Sequence, residues 1–181
     1  MGLLSKEGAT LIIIDIQEKL FPHIHKREEV SENVRRLIKF ARIMGIPIVL
    51  TEQYPKGLGA TIREIKELIL RVKPIEKVEF SCFGSEGFIR ALKRLDTKTL
   101  ILTGIETHIC VSQTAIESLD LGYSVCVVSD ATSSRREDDK TIGIERMKQS
   151  GAVISSTEML IYELLRRAGT QEFKEALKLV K

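Results

Sequence analysis

Residues 99–130 read TLILTGIETHICVSQTAIESLDLGYSVCVVSD, and this stretch contains the pattern that decides the fold. It begins with an apolar run at 99–104 and continues through a short loop into helical spacing from Cys110 to Leu121. It ends in a second apolar run at 123–130. Both runs are apolar on their two faces, as is typical of parallel strands covered by helices on both sides. The stretch therefore predicts two parallel strands joined by a helix.

The same alternation extends through the rest of the chain. Further strands are predicted at 9–15, 45–51, 77–80 and 151–156. Between them, apolar residues recur at steps of three and four, as at Val30, Val34, Leu37, Ile38 and Ala41, and at Ile62, Ile65, Leu68 and Ile69. Glycines stand between a helix and the next strand, where a left-handed cap is favoured, at Gly45, Gly122 and Gly151. The pattern predicts one α/β domain over residues 1–181, with a parallel sheet between two layers of helices.

Composition limits the classes of function. The net charge of +3 is small, and acidic and basic residues alternate, which argues against a nucleic-acid-binding surface. The three cysteines contain no CxxC pair, so neither a disulfide framework nor a zinc site is expected. The sequence shows no signal peptide and no apolar stretch of membrane-spanning length. We expect a cytoplasmic protein without nucleic-acid or membrane partners.

The candidate site residues follow the predicted strands, because open α/β sheets bind ligands beyond the carboxyl ends of their strands. Asp15 ends the first apolar run, where it could be a functional carboxylate or a loop or capping residue. Cys110 lies where a loop becomes a helix, and it could be a reactive thiol or a small core residue. Lys77 begins the run at 77–80 and could equally be a solvated side chain.

Other motifs are weaker. Gly57 and Gly59 lack the third glycine of a dinucleotide fingerprint, so we interpret 54–62 as a flexible loop over the site. The three histidines, His23, His25 and His108, are not spaced as a metal set. His108 could serve as a base for Cys110 or face solvent or substrate. Cys126 is predicted to lie in the core, and Cys82 to pack near the site.

Three segments together resemble the isochorismatase-like cysteine hydrolases. They are LIIIDIQEKL at 11–20, EKVEFSCF at 76–83 and LTGIETHICVSQTAIESLDLGYSVCVVSDATSSR at 102–135. The stretches TEQYPKGLGATI and RMKQSGAVISSTEMLIYELL resemble the isochorismatase-domain-containing subgroup. The resemblance implies a Rossmann-like three-layer αβα sandwich around a six-stranded parallel sheet.

The resemblance also implies a site. It assigns a catalytic triad to Asp15, Lys77 and Cys110, and a cis peptide bond between Ile105 and Glu106 that turns backbone N–H groups into an oxyanion hole. Lys77 and the helix terminus are expected to favour the Cys110 thiolate, and Asp15 to accept the thiol proton. Residues expected to shape a substrate pocket are Gln17, Phe21, Gln53, Tyr54, Leu58, Phe83 and His108.

The implied reaction is hydrolysis of an amide-like C–N bond of a small molecule through a cysteine thioester. Nicotinamidases of this family carry one aspartate and two histidines as metal ligands, and DIQEKLFPHIHKREE at 15–29 lacks that spacing. We therefore expect no metal and no cofactor. The family is commonly dimeric or larger, so we expect a homo-oligomer. The alternatives are a non-catalytic scaffold with this fold and a redox-responsive cysteine protein.

Overall fold

The computed structural model describes residues 2–180, so Met1 and Lys181 of the predicted domain lie outside the described residues. Six strands form one sheet in the order β3-β2-β1-β4-β5-β6, and every neighbouring pair is parallel. The strands are β1 Ala9–Ile14, β2 Ile48–Gln53, β3 Ile75–Lys77, β4 Thr99–Ile105, β5 Ser124–Ser133 and β6 Val153–Ser155. The predicted six-stranded parallel sheet is confirmed.

Helices connect the strands and cover both faces of the sheet. The α-helices are α1 Arg27–Met44, α2 Pro55–Leu58, α3 Arg63–Lys66, α4 Glu86–Arg94, α5 Ser112–Asp120, α6 Glu137–Gln149, α7 Thr157–Leu165 and α8 Gln171–Val180. Short 3₁₀ turns lie at Phe21–His23 and Cys82–Gly84, and a π turn at Thr107–Val111. The molecule is a three-layer αβα sandwich, as predicted.

Burial explains why the strands are apolar on both faces. In β1, Leu11 and Ile13 pack with α1, α3, α7 and α8 on one side of the sheet. The alternate residues Ile12 and Ile14 pack with α4, α5 and α6 on the other side. Successive side chains of a strand point to opposite faces, so a central strand between two helical layers needs apolar residues at every position.

Helix ends follow the predicted glycine positions. Gly45 has φ of +70° and its N–H donates to the carbonyls of Ala41 and Arg42, which ends α1. Gly122 and Gly151 also have positive φ, of +86° and +106°. A residue without Cβ adopts this conformation without steric cost, so the predicted left-handed caps are confirmed.

Several predicted boundaries are wrong, and β5 extends to Ser133, three residues beyond its predicted end. The strand predicted at 45–51 is observed at 48–53, because Gly45 is used by the helix cap. The helix predicted around Ile62–Ile69 is a single turn, α3. The strand predicted at 77–80 is observed at 75–77, so Lys77 ends the strand instead of beginning it.

The early end of β3 has a physical cause. The carbonyls of Glu79 and Phe80 accept hydrogen bonds from Lys77 Nζ at 3.2 and 3.1 Å. The carbonyl of Val78 accepts one from Gln53 Nε2 at 2.7 Å. These three carbonyls are drawn to buried polar side chains, and the segment therefore leaves the sheet.

Candidate active site

Asp15 directly follows β1 at the carboxyl edge of the sheet, and its side chain is fully buried. Its φ is +54°, a left-handed conformation that aspartate adopts more readily than most residues. Asp15 Oδ1 accepts a hydrogen bond from Thr51 Oγ1 at 2.7 Å. Asp15 Oδ2 accepts one from Lys77 Nζ at 2.6 Å. Both carboxylate oxygens are therefore oriented by the neighbouring strands.

Lys77 completes a buried ion pair with Asp15, in which neither side chain is exposed. Its Nζ also donates to Gln53 Oε1 at 2.7 Å and to the two carbonyls that follow β3. Burial alone would lower the pKa of Lys77, but the attraction of neighbouring groups, chiefly the Asp15 carboxylate, outweighs it and raises the pKa. Lys77 is a permanently charged, fully bonded cation in the site.

Cys110 lies in the π turn between β4 and α5, with 7% of its surface exposed. It is close enough to Asp15 and Lys77 for both charges to act on its thiol. Burial raises the pKa of Cys110 most, the negative charge of Asp15 raises it further, and Lys77 lowers it. The net pKa lies well above that of a free thiol.

Lys77 lowers the pKa of Cys110, in the expected direction, but burial and the charge of Asp15 raise it by more. Lys77 directs its charge at the carboxylate of Asp15, and the π turn places Cys110 before the first residue of α5. A buried thiol beside a carboxylate keeps its proton.

The other two cysteines differ in position. Cys82 is fully buried near the site, with Sγ 4.0 Å from Thr51 Oγ1 and its N–H donating to Thr114 Oγ1 at 3.0 Å. Burial, and next the charge of Asp15, raise the pKa of Cys82 to about 12. Cys126 is fully buried in β5, where burial, together with Glu163, raises its pKa to about 12. These positions agree with a packing role for Cys82 and a core role for Cys126.

Gln17 and Gln53, expected to contact substrate, are occupied by protein partners. Gln17 Nε2 donates to the carbonyls of Gln53 and Gly59 at 3.0 and 2.7 Å, and Gln17 Oε1 accepts from the Gln53 N–H at 2.8 Å. Glu52 Oε1 accepts from both the N–H and the hydroxyl of Thr61 at 2.7 Å. These bonds fasten the 54–61 loop to the carboxyl edge of the sheet.

The aromatic pocket candidates are dispersed. Phe83 is 7% exposed and stacks edge-on against Phe88 with ring centroids 5.2 Å apart, so it belongs to the core. Phe21 packs partly buried against the core on the α1 side. Tyr54 is 54% exposed and lines a cavity of about 370 Å³ that also reaches Lys77. Leu58, at the end of α2, is half-buried and does not line that cavity.

Glu106 directly follows β4 and bonds the segment that follows β5. The peptide bond between Ile105 and Glu106 is cis. The buried Glu106 carboxylate accepts from the N–H and Nε of Arg135 at 3.1 and 3.2 Å. His108 Nδ1 lies 2.8 Å from Ser134 Oγ and 4.0 Å from Glu106 Oε2.

Sequence reasoning missed several of these partners. Thr51, Thr114, Ser134 and Arg135 carry no motif signal of their own, although the last two directly follow β5. Among residues 2–180, no cluster of three His, Cys, Asp or Glu side chains could hold a metal ion. In the same part of the chain, no helix is long and apolar enough to cross a membrane.

Two curated relatives match nearly the whole chain. Isochorismatase domain-containing protein 2 of Danio rerio is 40% identical over 181 residues, covering 99% of this chain and 90% of the relative. Isochorismatase family protein 1A of Dictyostelium discoideum is 39% identical over 184 residues, covering 99% of this chain and 89% of the relative.

Solved structures with the same fold also cover most of the chain. A protein described as MAR1 ribonuclease from Caenorhabditis elegans has a TM-score of 0.91 at 37% identity, covering 99% of this chain and 92% of the other. YcaC from Pseudomonas aeruginosa, solved with hexane-2,5-diol and covalent acrylamide, has a TM-score of 0.90 at 26% identity over 98% and 91% of the two chains. Escherichia coli YcaC, described as an octameric hydrolase of unknown specificity, has a TM-score of 0.87 at 26% identity over 92% and 84%.

The isochorismatase domain model matches residues 9–159, from β1 into α7. This range contains the sheet and every residue of the candidate site. The family match agrees with the three-layer fold and with the curated relatives. The chain belongs to the isochorismatase family and has its hydrolase fold.

Proposed function

We propose that the protein is a cysteine hydrolase that cleaves an amide-like C–N bond of a small molecule, with Asp15, Lys77 and Cys110 as its triad. One observation carries this proposal: a fully buried ion pair, Asp15 with Lys77, lies beside the buried thiol of Cys110. Burying two charges is costly, and replacing them by apolar residues would often cost nothing. Their presence at the carboxyl edge of a parallel sheet is typical of an active site.

The first half of the reaction forms a thioester. Asp15 accepts the thiol proton, and the Cys110 sulfur attacks the carbonyl carbon to form a C–S bond. The carbonyl oxygen becomes negative and is bound by the backbone N–H groups of Glu106 and Cys110. Asp15 returns the proton to the nitrogen, the C–N bond breaks, and an amine leaves.

The second half regenerates the enzyme. Asp15 removes a proton from a water molecule, which attacks the thioester carbonyl. The C–S bond breaks, the sulfur takes the proton from Asp15, and the carboxylic acid leaves. Lys77 stays charged throughout, and with Thr51 it fixes the orientation of the carboxylate.

We further propose that the protein works without a metal or cofactor, as a homo-oligomer in the cytoplasm. The described octameric state of the E. coli relative supports an oligomer. The cavity lined by Tyr54 and Lys77 is the nearest opening to the triad that we propose for substrate entry, although neither Asp15 nor Cys110 lines it. The cavity volume of about 370 Å³ suits a small molecule.

The test combines turnover with labelling. A panel of small amides is incubated with the wild-type protein, Cys110→Ala and the matched control Cys126→Ala, and released amine is measured. We expect turnover by the wild type and the control, and none by Cys110→Ala.

Acrylamide is an electrophile that alkylates thiols, and its covalent presence in the P. aeruginosa relative suggests it as a probe. Peptide mass spectrometry should find it on Cys110 in preference to Cys82.

Two outcomes would contradict the proposal. If no amide is cleaved and Cys110 reacts no faster than Cys82, a non-catalytic scaffold is the better interpretation. If the protein degrades RNA in a Cys110-dependent manner and cleaves no amide, the substrate class is wrong.

A further inference from the structure

The outer edge of the sheet is incomplete at its amino end. β2 extends over Ile48–Gln53, whereas its outer neighbour β3 pairs only with Thr51–Gln53. β3 is the last strand on that side of the sheet. The half of β2 from Ile48 to Leu50 therefore has no strand on its outer side.

The hydrogen-bonding groups of this half-strand point outward. The Leu11 N–H donates to the carbonyl of Pro47 at 2.9 Å, and the Tyr54 N–H to the carbonyl of Lys77 at 2.8 Å. The backbone N–H and C=O groups of odd-numbered residues in this segment thus point toward β1. Those of even-numbered residues point toward β3, because the backbone groups of successive strand residues point to opposite sides. The N–H and C=O of the half-buried Ile48 face outward, whereas Leu50, whose N–H has the same direction, is buried. Within residues 2–180 no backbone group bonds them from that side.

A groove of about 740 Å³ lies against this free edge. Its apolar wall includes Val49, Ile75 and Ala91. Its charged residues are all basic and exposed, and they are Arg71, Lys73, Arg90 and Arg94. No acidic side chain lines the groove.

The basic side chains are largely uncompensated. Arg90 pairs with Glu86 at 2.8 Å on the exposed face of α4. In the described part of the chain, Arg71, Lys73 and Arg94 have no carboxylate within 4.0 Å. Three free cations around an open strand edge attract an anionic partner.

We propose that this groove binds a short, extended, acidic peptide segment of a partner protein, which pairs with the free backbone groups of Ile48 at the edge of the sheet. The free N–H and C=O groups would pair with the peptide backbone, as in other β-strand additions. The basic side chains would bind its carboxylates and select acidic sequences. The wall formed by Val49, Ile75 and Ala91 would cover alternate apolar side chains.

Other occupants fit the groove less well. Single-stranded nucleic acid is bound by stacking on aromatic side chains, and none lines the groove. A second copy of this chain meeting the groove with its own groove would oppose like charges. A peptide uses the charges, the apolar wall and the strand edge together.

The groove is separate from the proposed hydrolase site. It lies beside the first residues of β2 and β3, whereas Asp15, Lys77 and Cys110 lie at the carboxyl edge of the sheet. Peptide binding therefore does not depend on the proposed reaction. Cys110→Ala should bind the peptide as the wild type does, so that the two proposals fail independently.

The experiment measures fluorescence anisotropy of a labelled seven-residue peptide that alternates acidic residues with valine, with full-length protein at physiological salt. A second peptide has the same charges but carries N-methyl groups on alternate backbone nitrogens, which removes the strand hydrogen bonds. A third has glutamine and asparagine in place of the acids. We expect saturable binding of the first peptide and at least about tenfold weaker binding of the other two.

Variants locate the site. Arg94→Glu and Arg71→Glu should each weaken binding about tenfold or more. Lys93→Glu reverses a charge on the same helix outside the groove, and it should change the affinity less than about twofold. Thermal unfolding of all three variants checks that they remain folded.

Several results would overturn the proposal. These are no saturable binding, equal binding of the N-methylated peptide, and equal loss of affinity in Lys93→Glu. Displacement of the peptide by a single-stranded RNA of equal charge at lower concentration would make the groove a nucleic-acid site. A shift from oligomer to monomer in Arg94→Glu would make it a contact between copies of this chain.

Discussion

Cys110 is subject to opposing influences on its thiol proton. Burial and the carboxylate of Asp15 raise its pKa, and Lys77 lowers it. Lys77 is paired with Asp15, and its lowering effect on the thiol pKa is smaller than the raising effects of burial and of Asp15. In the proposed mechanism, the nucleophile forms when the thiol proton moves to Asp15.

Replacing Asp15 by asparagine should separate reactivity from catalysis. Asp15→Asn removes a charge that raises the pKa of Cys110 and leaves the lowering effect of Lys77. Alkylation of Cys110 by iodoacetamide at pH 7.5 should become faster, by about threefold for each unit of pKa lost, because the thiolate fraction rises tenfold while the nucleophilicity of the thiolate falls. Amide turnover should fall by about 10²-fold or more, because the general base is gone.

Peptide mass spectrometry at several pH values measures the alkylation rate of Cys110 in the wild type and in Asp15→Asn, with Cys126 as the internal reference. Asn at this position leaves Lys77 buried without a counter-charge, so circular dichroism must show that the variant is folded. Slower alkylation of Cys110 in folded Asp15→Asn would show that the carboxylate does not set the thiol pKa. Retained turnover would remove Asp15 from the mechanism.

Sequence motifs identify the candidate triad residues, but they do not predict which of these residues pair or how their pKa values shift. Asp15 and Lys77 are 62 residues apart, and no local pattern reveals that they form an ion pair. The protonated state of Cys110 depends on that pair and on burial, which sequence does not give. Gln17 looks like a pocket residue for the same reason: only the fold reveals that its amide is bound by the backbone of Gln53 and Gly59.

At the scale of secondary-structure elements, type was predictable and strand ends were not. Apolar periodicity gives each strand, but the end of β3 depends on where carbonyls can bind the Lys77 ammonium. The π turn before α5 likewise has no signature in 107–111, whose residues suit an α-helix or a loop. Such turns add a residue to the helical turn and are frequent at functional sites.

Gly104 lies where β4 approaches β1 so closely that there is no room for a Cβ atom. Its φ is +115°, and a Cβ there would lie 2.1 Å from the carbonyl oxygen of Ile14. Gly104→Ala should force β4 away from β1 next to Asp15 and cost about 3 kcal/mol or more of the free energy of unfolding. Gly122→Ala is the control, because its positive φ of +86° meets no atom within 4 Å.

Urea unfolding compares these two variants with the wild type. Gly122→Ala should cost only about 1–2 kcal/mol, the strain of a left-handed alanine. Equal costs for the two variants would mean that β1 and β4 separate without penalty, and that the close approach does not constrain the site.

At the scale of the whole molecule, the layers were predictable and the order of strands was not. Continuous apolar strands require two helical layers, which the alternation supplies. The position of β1 between β2 and β4 depends on pairings such as Ala9 with Thr99. Contacts between residues so far apart leave no trace in local periodicity, so the strand order comes only from the structure or from family resemblance.

Buried thiols should make the molecule unstable in alkali. The folded-state pKa values of Cys82 and Cys126 are raised to about 12 from the ordinary 9.0, and that of Cys110 is also raised. A raised folded-state pKa gives stability that is complete below pH 9 and is lost as pH rises toward the folded value. Each such thiol should lower the free energy of unfolding by about 1.4 kcal/mol per pH unit in that range.

Cys126→Ala tests this dependence far from the site. The variant should be less stable than the wild type at pH 8, because a buried side chain is shortened. Its stability should then fall less steeply between pH 9 and pH 11, by about 1.4 kcal/mol per pH unit. Urea unfolding at pH 8, 9, 10 and 11 gives both slopes, and parallel curves would show that Cys126 does not titrate on unfolding.

The strand order also determines when, during synthesis of the chain, the proposed triad can assemble. β1 is the third strand of the sheet in space, and its neighbour β4 begins at Thr99. Until the ribosome has released about half the chain, the apolar edge and faces of β1 have no β4 to cover them, and such nascent segments need chaperones. Cys110 emerges after β4, so no shorter nascent chain can carry an assembled triad. Enzymatic activity in this fold would thus show that synthesis has passed Cys110, and chains stalled before that residue would be inactive.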